Sequence, residues 1–507
     1  MMRLGDLLKS VPVPLHQVAG GAEDPIIHRV VEDSRTVRDG DLFVARTGLK
    51  NNGRHFIAEA IEHGAAAVVT APSQIVATAA QVPVLQCAQP ALALGFLAQA
   101  IHEFPARNMK LLAVTGTNGK TTTTYLLRGI LRMAGVPCGL LGTVQLDDGQ
   151  VVVESPMTTP GPVELAALLA RMRDHGVRAV ALEASSHALA QDRLAGLNIH
   201  VAMFTNLTGD HLDYHGTMEN YAAAKARLFT ALAPDAFAII NAQDAWSSRM
   251  IRDCRARTLS YGIDGPADFS GSIHAMSSTG MEVSIRGPDG MLLDLRTGLL
   301  GRHNVQNMLC AAAACWAAGV APEFITAGLQ AADLVPGRLQ PVAPAGVKRE
   351  TLPFTVLVDY AHTHDALENV LTAIRGFTTG KIICLFGCGG DRDTTKRPKM
   401  AAVVQRLADK IIVTDDNPRT EASAVIITQI VRGFSGDLAD RLTVIPDRAT
   451  AIRHAIAGAE KGDVVLIAGK GHENYQIIGT SRYHFDDVEQ AQEAIRARLG
   501  LTTNGTP

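Results

Sequence analysis

The sequence predicts an α/β protein of three domains, and three observations lead there. Short apolar runs alternate with helix-period stretches through most of the chain, the rhythm of parallel strands covered by helices. Leu111-Leu-Ala-Val-Thr-Gly-Thr-Asn-Gly-Lys-Thr-Thr122 reads as strand, tight polar loop and helix start. At 507 residues the chain has room for about three domains of ordinary size.

The first section spans residues 1–108. Asp41–Ala45, Ala66–Val69 and Val82–Leu85 are expected strands, and Arg54–His63 and Pro90–Phe104 expected helices. Two polar clusters interrupt it, Glu32-Asp33-Ser34-Arg35 and the loop from Gly48 to Arg54. The second section, 109–336, carries strand candidates Leu111–Thr115, Cys138–Thr143, Ala179–Leu182, Val201–Thr205 and Phe237–Asn241. Residues 267–300 then switch to a period of two around a Pro288-Asp289-Gly290 turn, which predicts antiparallel hairpins appended to a parallel sheet. An apolar helix is expected over His303–Ala318. The third section, 337–507, repeats the strand–helix rhythm with strands at Thr355–Val358, Lys381–Phe386, Ile411–Thr414, Leu442–Ile445 and Val464–Ala468. That is a doubly wound pattern, without the Gly-x-Gly-x-x-Gly of a dinucleotide site.

Composition narrows the function classes. The chain is 47% hydrophobic and 19% charged, as a packed protein is. A net charge of −3 with no long basic run argues against sequence-independent nucleic-acid binding. No run approaches the ~20 apolar residues that span a bilayer, and Met1–Ser10 does not read as a signal peptide. The seven cysteines are scattered, which fits a reducing cytoplasm. Cys384 and Cys388 are expected in the core.

The 111–122 run carries the clearest chemistry. Its glycines let backbone N–H groups converge on phosphate oxygens at a helix N-terminus. Lys120 would reach the outer phosphates, and the Thr121 hydroxyl would ligate Mg2+. The general pattern places its first glycine at 114, where Val114 stands. Other unusual residues fall where open parallel sheets bind ligands, beyond the carboxyl ends of strands. They are Glu183-Ala-Ser-Ser-His187, Thr205–His215, Asp359–Thr363, Gly387–Asp393, Asp415–Arg419 and Gly469–Glu473. Together they predict a cleft between two α/β domains. Glu183, Asp210, His211 and Asp213 are candidate metal ligands, with Glu183 and Thr121 the better match to an oxygen-seeking Mg2+. Lys225 stands alone among alanines in a helical pattern. Such a lysine is ordinarily solvated, but if buried it can lose its proton and capture CO2 as a carbamate.

Gly116–Thr122, Glu183–His187, Asn206–His215, Gly301-Arg-His-Asn-Val305 and Asp359–Thr363 resemble, in order and spacing over the whole chain, the Mur ligases of peptidoglycan synthesis. The likeness is greatest to the members that add meso-diaminopimelate. The resemblance implies an N-terminal UDP-binding domain (1–108), a central P-loop ATPase domain (109–336) and a C-terminal Rossmann-like domain that binds the amino acid (337–507). It implies ATP-dependent amide formation through an acyl phosphate, as a cytoplasmic step, by a monomer. Its substrates would be UDP-N-acetylmuramoyl-L-alanyl-D-glutamate and meso-diaminopimelate, with ATP and Mg2+.

Carried over by motif, Gly116, Thr117, Asn118, Gly119, Lys120, Thr121, Thr122, Asn304, Arg338 and Asp359 would contact ATP. Thr121, Glu183, His211 and Lys225, the last as N6-carboxylysine, would serve metal, and Lys120, Glu183, His211 and Lys225 would be the catalytic set. Ser34, Thr158, Thr159, Ser186, Gln191 and Arg193 would hold the UDP-sugar-peptide. Arg392, Asp416, Asn417, Pro418, Arg419, Gly469 and Glu473 would hold diaminopimelate. Arg419 suits the extra carboxylate of diaminopimelate through a two-pronged hydrogen bond. Three departures stand out: His364 where the family often has proline, Glu32 two residues before Ser34, and an unusual Leu49-Lys50-Asn51 loop. A lysine-adding ligase, a folylpolyglutamate synthetase-like ligase and a nucleotide-binding switch remain alternatives.

Overall fold

The computed structural model describes residues 1–21, 23–48, 52–72, 82–332 and 334–500. The Leu49-Lys50-Asn51 loop lies outside the described residues. Three main sheets follow one another along the chain.

The first sheet orders His16–Ala19, Val84–Gln86, Ala65–Thr70, Asp41–Ala45 and Arg29–Val31, parallel except for its first strand. The helix expected over 54–63 starts as a 3-10 turn, Gly53–Phe56, and becomes α-helical only over Ile57–Glu62. The helix from Pro90 ends at Ile101, where Glu103 and Phe104 take positive φ.

The central sheet has eleven strands. From edge to edge they are Val152–Glu154, Gln145–Asp147, Cys138–Leu141, Ala179–Glu183, Lys110–Thr115, Val201–Phe204, Phe237–Asn241, Arg257–Ile263, Phe269–Ser277, Gly280–Arg286 and Leu292–Thr297. The Lys110–Thr115 strand is interior, so both of its faces are buried. Leu112 and Val114 enter one core with Leu127, Ile130 and the alanine-rich helix Arg302–Ala317. Leu111 and Ala113 enter the other with Leu165, Leu169 and Phe229. The expected antiparallel strands Phe269–Ser277, Gly280–Arg286 and Leu292–Thr297 extend one edge of this sheet. Arg257–Ile263 pairs in parallel with Phe237–Asn241 on one side and Phe269–Ser277 on the other, so the sheet is continuous. A second hairpin, Gln145–Asp147 with Val152–Glu154, closes the opposite edge.

The third sheet orders Gln340–Pro341, Thr355–Asp359, Val464–Ala468, Ile382–Phe386, Lys410–Val413 and Leu442–Val444, parallel after its first strand. Cys384 and Cys388 lie in its core as expected. A small hairpin, Tyr475–Ile478 with Ser481–His484, stands beside it. No helix among the described residues is long and apolar enough to cross a membrane.

Candidate active site

The carboxyl end of Lys110–Thr115 leads into the 116–119 loop and the helix Lys120–Met133. Gly119 sits at φ 89°, left-handed backbone that an L side chain rarely adopts. A Cβ there would also collide with the Asn307 side-chain oxygen. The loop is laced to the next strand's end: Asn118 N donates to Asn206 Oδ1 (2.9 Å), and the Thr205 hydroxyl donates to Asn118 O (2.6 Å). The threonines that would weaken the helix are satisfied inside it, Thr123 Oγ1 on Gly119 O and Thr124 Oγ1 on Thr121 O, each at 2.9 Å.

Two ammonium groups converge on this loop. Lys120 Nζ donates to Gly116 O and Thr117 O, both at 2.8 Å. Lys225 Nζ, 1% exposed, donates to the same Gly116 O at 2.9 Å and lies 4.5 Å from the Tyr221 ring centre. Burial and then the neighbouring Lys120 charge hold the Lys225 amine well below its ordinary range. Burial lowers Lys120 too, against the opposing pull of Glu183 and Asp210.

Glu183 is fully buried at the end of its strand. Thr143 N donates to Oε1 (2.8 Å), and the Thr143 hydroxyl lies 2.9 Å from Oε2. His211 stands at φ 54°, with Nε2 3.5 Å from Asp210 Oδ2. Burial pushes its imidazole down to about 4, so it is neutral near pH 7.

One cavity wall contains Gly116–Thr122, Thr143, Thr158, Glu183, Ser186, Asp210, His211, Lys225 and Asn304. It is completed from the third sheet by Asp359–His362 and from the connecting segment by Arg338. Asp213 is not in that wall; it sits in the short helix Leu212–His215. Among the described residues no group of three His, Cys, Asp or Glu side chains could hold a metal by itself. The oxygen donors present, Thr121 and Glu183, fit a Mg2+ that keeps waters and phosphate oxygens as its other ligands.

Arg338 Nη2 reaches Thr121 Oγ1 at 3.4 Å, and its guanidinium lies 4.6 Å from the Tyr360 ring centre. Asp359 is buried and accepts from Leu339 N (2.6 Å) and Ala361 N (2.8 Å), pinning the segment that carries Arg338. Burial raises its carboxyl, against Arg338 and those two N–H groups. Asn304 donates to Leu300 O (2.8 Å) and accepts from Asn307 (3.1 Å).

The remaining candidates form three groups. Thr159 Oγ1 donates to Glu183 O (2.7 Å), Arg193 Nη1 to Thr159 O (2.7 Å), and Arg193 Nη2 to Gln191 Oε1 (2.9 Å). Ser186 Oγ is 3.0 Å from His215 Nε2. Ser34 lies apart, in a hollow of the first sheet with Arg35, Phe43, Arg46 and Phe56, and donates to Glu59 (2.8 Å).

The third group surrounds the ends of Lys410–Val413 and Val464–Ala468. Asn417 Nδ2 donates to Glu473 Oε2 (2.8 Å), and Arg419 Nη1 to Gly390 O (2.8 Å). A Cβ on Gly469, at φ 119°, would stand 2.6 Å from Asp416 Oδ2. Pro418 is buried beside Asn417. Arg392 is exposed, on the Asp391 carbonyl at 3.2 Å. Lys470, which has no part in the motif reading, is fully buried in the same cluster. The only signal for it was a lysine between two glycines at a strand end.

Three family patterns match in order: "Mur ligase family, catalytic domain" over 26–108, "Mur ligase middle domain" over 114–315, and "Mur ligase, glutamate ligase domain" over 337–471. A protein of Synechococcus elongatus is 45% identical, over 98% of this chain and 99% of its own. The chain belongs to the Mur ligase family. That cyanobacterial relative is named UDP-N-acetylmuramoyl-L-alanyl-D-glutamate--2,6-diaminopimelate ligase. So is one from Pseudomonas aeruginosa, 43% identical over 96% of this Mur ligase and 99% of its own chain. A solved structure of the same title superposes with TM-score 0.67 at 34% identity, over 93% of this chain and 95% of that one. A MurF structure from Acinetobacter baumannii shares the fold, with TM-score 0.63 at 20% identity, over 98% of each chain.

Proposed function

We propose that this Mur ligase joins meso-2,6-diaminopimelate to the D-glutamate carboxylate of UDP-N-acetylmuramoyl-L-alanyl-D-glutamate, with conversion of ATP to ADP and phosphate. The observation that carries the reading is the cavity in which a phosphate loop on the central sheet faces Arg338 and Asp359; Tyr360 of its wall packs on His472, ring centres 5.2 Å apart, next to the Asn417–Glu473 cluster. The names of the full-length relatives support the choice of substrates. We assign residues 1–108 to UDP binding, 109–336 to the ATPase and 337–507 to the amino acid, and place the enzyme in the cytoplasm.

Amide formation here runs through an acyl phosphate, so the protein's task is positioning and neutralising charge. The 116–119 N–H groups and the helix N-terminus cradle the phosphates, and Lys120 leaves the Gly116 carbonyl for the outer phosphate oxygens. Arg338 neutralises charge from the opposite wall and closes the cavity through Thr121. Thr121 and Glu183 would hold Mg2+, which when bound polarises the phosphate oxygens.

Burial and the neighbouring Lys120 charge favour the neutral Lys225 amine, the form that attacks CO2. A bond forms from Nζ to carbon, one proton leaves, and the resulting carbamate carries one negative charge beside His211. Ser186, Thr158, Thr159, Gln191 and Arg193 orient the peptide arm, while Ser34 and its hollow take the uridine end. Arg419 clamps the distal carboxylate of the amino acid, and Glu473 takes an ammonium.

An omit-one assay of phosphate release tests the reaction class. Release should require ATP, the UDP-dipeptide and the amino acid together. Equal release without the UDP-dipeptide would refute it.

A further inference from the structure

The floor of the amino-acid cluster contains a buried charge that the reaction above does not use. Lys470 is 0% exposed. Its Nζ lies 3.2 Å from Asn417 Oδ1, 3.5 Å from Glu473 Oε2 and 5.5 Å from the Tyr475 ring centre. Asn417 Oδ1 also accepts from Ile477 N at 2.9 Å. With two donors on its oxygen, the Asn417 amide has one orientation, and its NH2 faces Glu473 Oε2 at 2.8 Å. Both Asn417 and Lys470 therefore engage the same carboxylate oxygen.

Asp416, 6% exposed, adds a second carboxylate beside Glu473. On the cationic side stand the Lys470 ammonium, which faces Glu473, and the Arg419 guanidinium, which donates to Gly390 O at 2.8 Å. The nearby Arg448 is already paired with Asp487 through two hydrogen bonds of 2.7 Å.

We propose that Lys470 is a positioning residue for the amino-acid substrate: it locks the Asn417 amide, and so turns Glu473 into a receiver for one ammonium group of an amino-acid head. The inference rests on the diaminopimelate reading above and names the part of the ligand this floor takes.

The groups facing Glu473 set its response to pH. They are Asp416, Lys470, Asn417, Tyr360, Tyr475 and Arg448. Burial and then Asp416 raise its carboxyl, while Lys470 and the Asn417 hydrogen bond oppose them. Without the Lys470 charge, Glu473 takes up a proton at higher pH and stops attracting an ammonium.

The test uses the full-length enzyme with Lys470→Met and Lys470→Gln, alongside the wild type. KM is measured separately for meso-diaminopimelate, ATP and UDP-dipeptide, and kcat/KM for diaminopimelate is followed against pH. Lys470→Met should raise KM for diaminopimelate at least tenfold, leave the other two within twofold, and move the acid limb to higher pH. Lys470→Gln keeps a donor for Asn417, so it should raise KM less while moving the acid limb as far. An unchanged KM for diaminopimelate, an equal rise in all three KM values, or loss of folding in both variants would overturn the proposal. If the wild type itself ignores diaminopimelate, the functional reading fails first.

Discussion

The side-chain nitrogen of Lys225 lies 2.9 Å from the carbonyl oxygen of Gly116, the first glycine of the phosphate loop. A lysine from the middle of the helix Met218–Thr230 is thereby brought to the phosphate loop, buried among alanines. Lys225→Ala should lower kcat by about 100-fold or more, the scale of losing one group aimed at developing charge. Short carboxylic acids with bicarbonate should restore part of it. Full activity of the alanine variant in a phosphate-release assay would dismiss the carbamate.

Arg419 is held at φ 54° because its own N–H and carbonyl are both engaged, with Ile477 O at 3.1 Å and Gly479 N at 2.8 Å. The guanidinium carried by this turn donates to Gly390 O at 2.8 Å. Arg419→Ala should raise KM for diaminopimelate by thirtyfold or more, the roughly 2 kcal/mol lost with one partner of a buried charge pair. Arg419→Lys should fall between, since it keeps the charge and loses the fork. KM for ATP should hold in both, and steady-state kinetics with each substrate varied would check this.

Folding stability should fall in acid through the buried imidazoles. Burial, then His187 and Lys225, press His215 from an ordinary 6.5 down to about 4. The unfolded chain therefore takes up this proton first. The stabilisation is complete above pH 6.5, is lost as pH falls towards about 4, and changes no further below that. His215→Gln should flatten part of the decline, measured as Tm against pH in thermal unfolding. An identical slope would show that His215 is not among the groups responsible.

Arg448 and Asp487 are each 1% exposed or less and pair through two hydrogen bonds of 2.7 Å. The same arginine donates to Ala468 O (3.0 Å) and Asp415 O (3.2 Å), tying together the two strand ends beside the Asn417–Glu473 cluster. Asp487→Ala leaves the guanidinium buried and unpaired, at a cost of about 3–5 kcal/mol. Urea unfolding should show it as a lower midpoint with an unchanged slope.

Much of the fold was legible because interior strands carry apolar runs on both faces. Ala179–Glu183 and Val464–Ala468 are buried at every position and lie within a residue of their expected limits. Arg257–Ile263 was not legible. Arg-Thr-Leu-Ser-Tyr-Gly-Ile mixes exposed and buried positions with a glycine, and only its two neighbours make it a strand. The Gln145–Glu154 hairpin did announce itself by an Asp-Gly pair, but its outer strand is exposed throughout, so no core pattern drew attention to it.

Sequence position indicated part of the cavity, since Glu183, Ser186, Thr205, Asp210, His211 and Asp359–His362 line it, whereas the strand-end clusters at 387–393, 415–419 and 469–473 gather outside its wall. It could not show Asp359 pinning Leu339, nor the buried Lys470, because both depend on which strands are neighbours. The same reading placed Asp213 with His211, whereas the tight turn at His211 leaves Asp213 out of the wall.

The central claim is the identity of the amide product. The enzyme should be given ATP, Mg2+, UDP-N-acetylmuramoyl-L-alanyl-D-glutamate and equal amounts of meso-diaminopimelate and lysine, and the nucleotide products weighed by mass spectrometry. The account predicts the diaminopimelate tripeptide with no more than a trace of the lysine one. A product carrying lysine in equal or greater amount would contradict it.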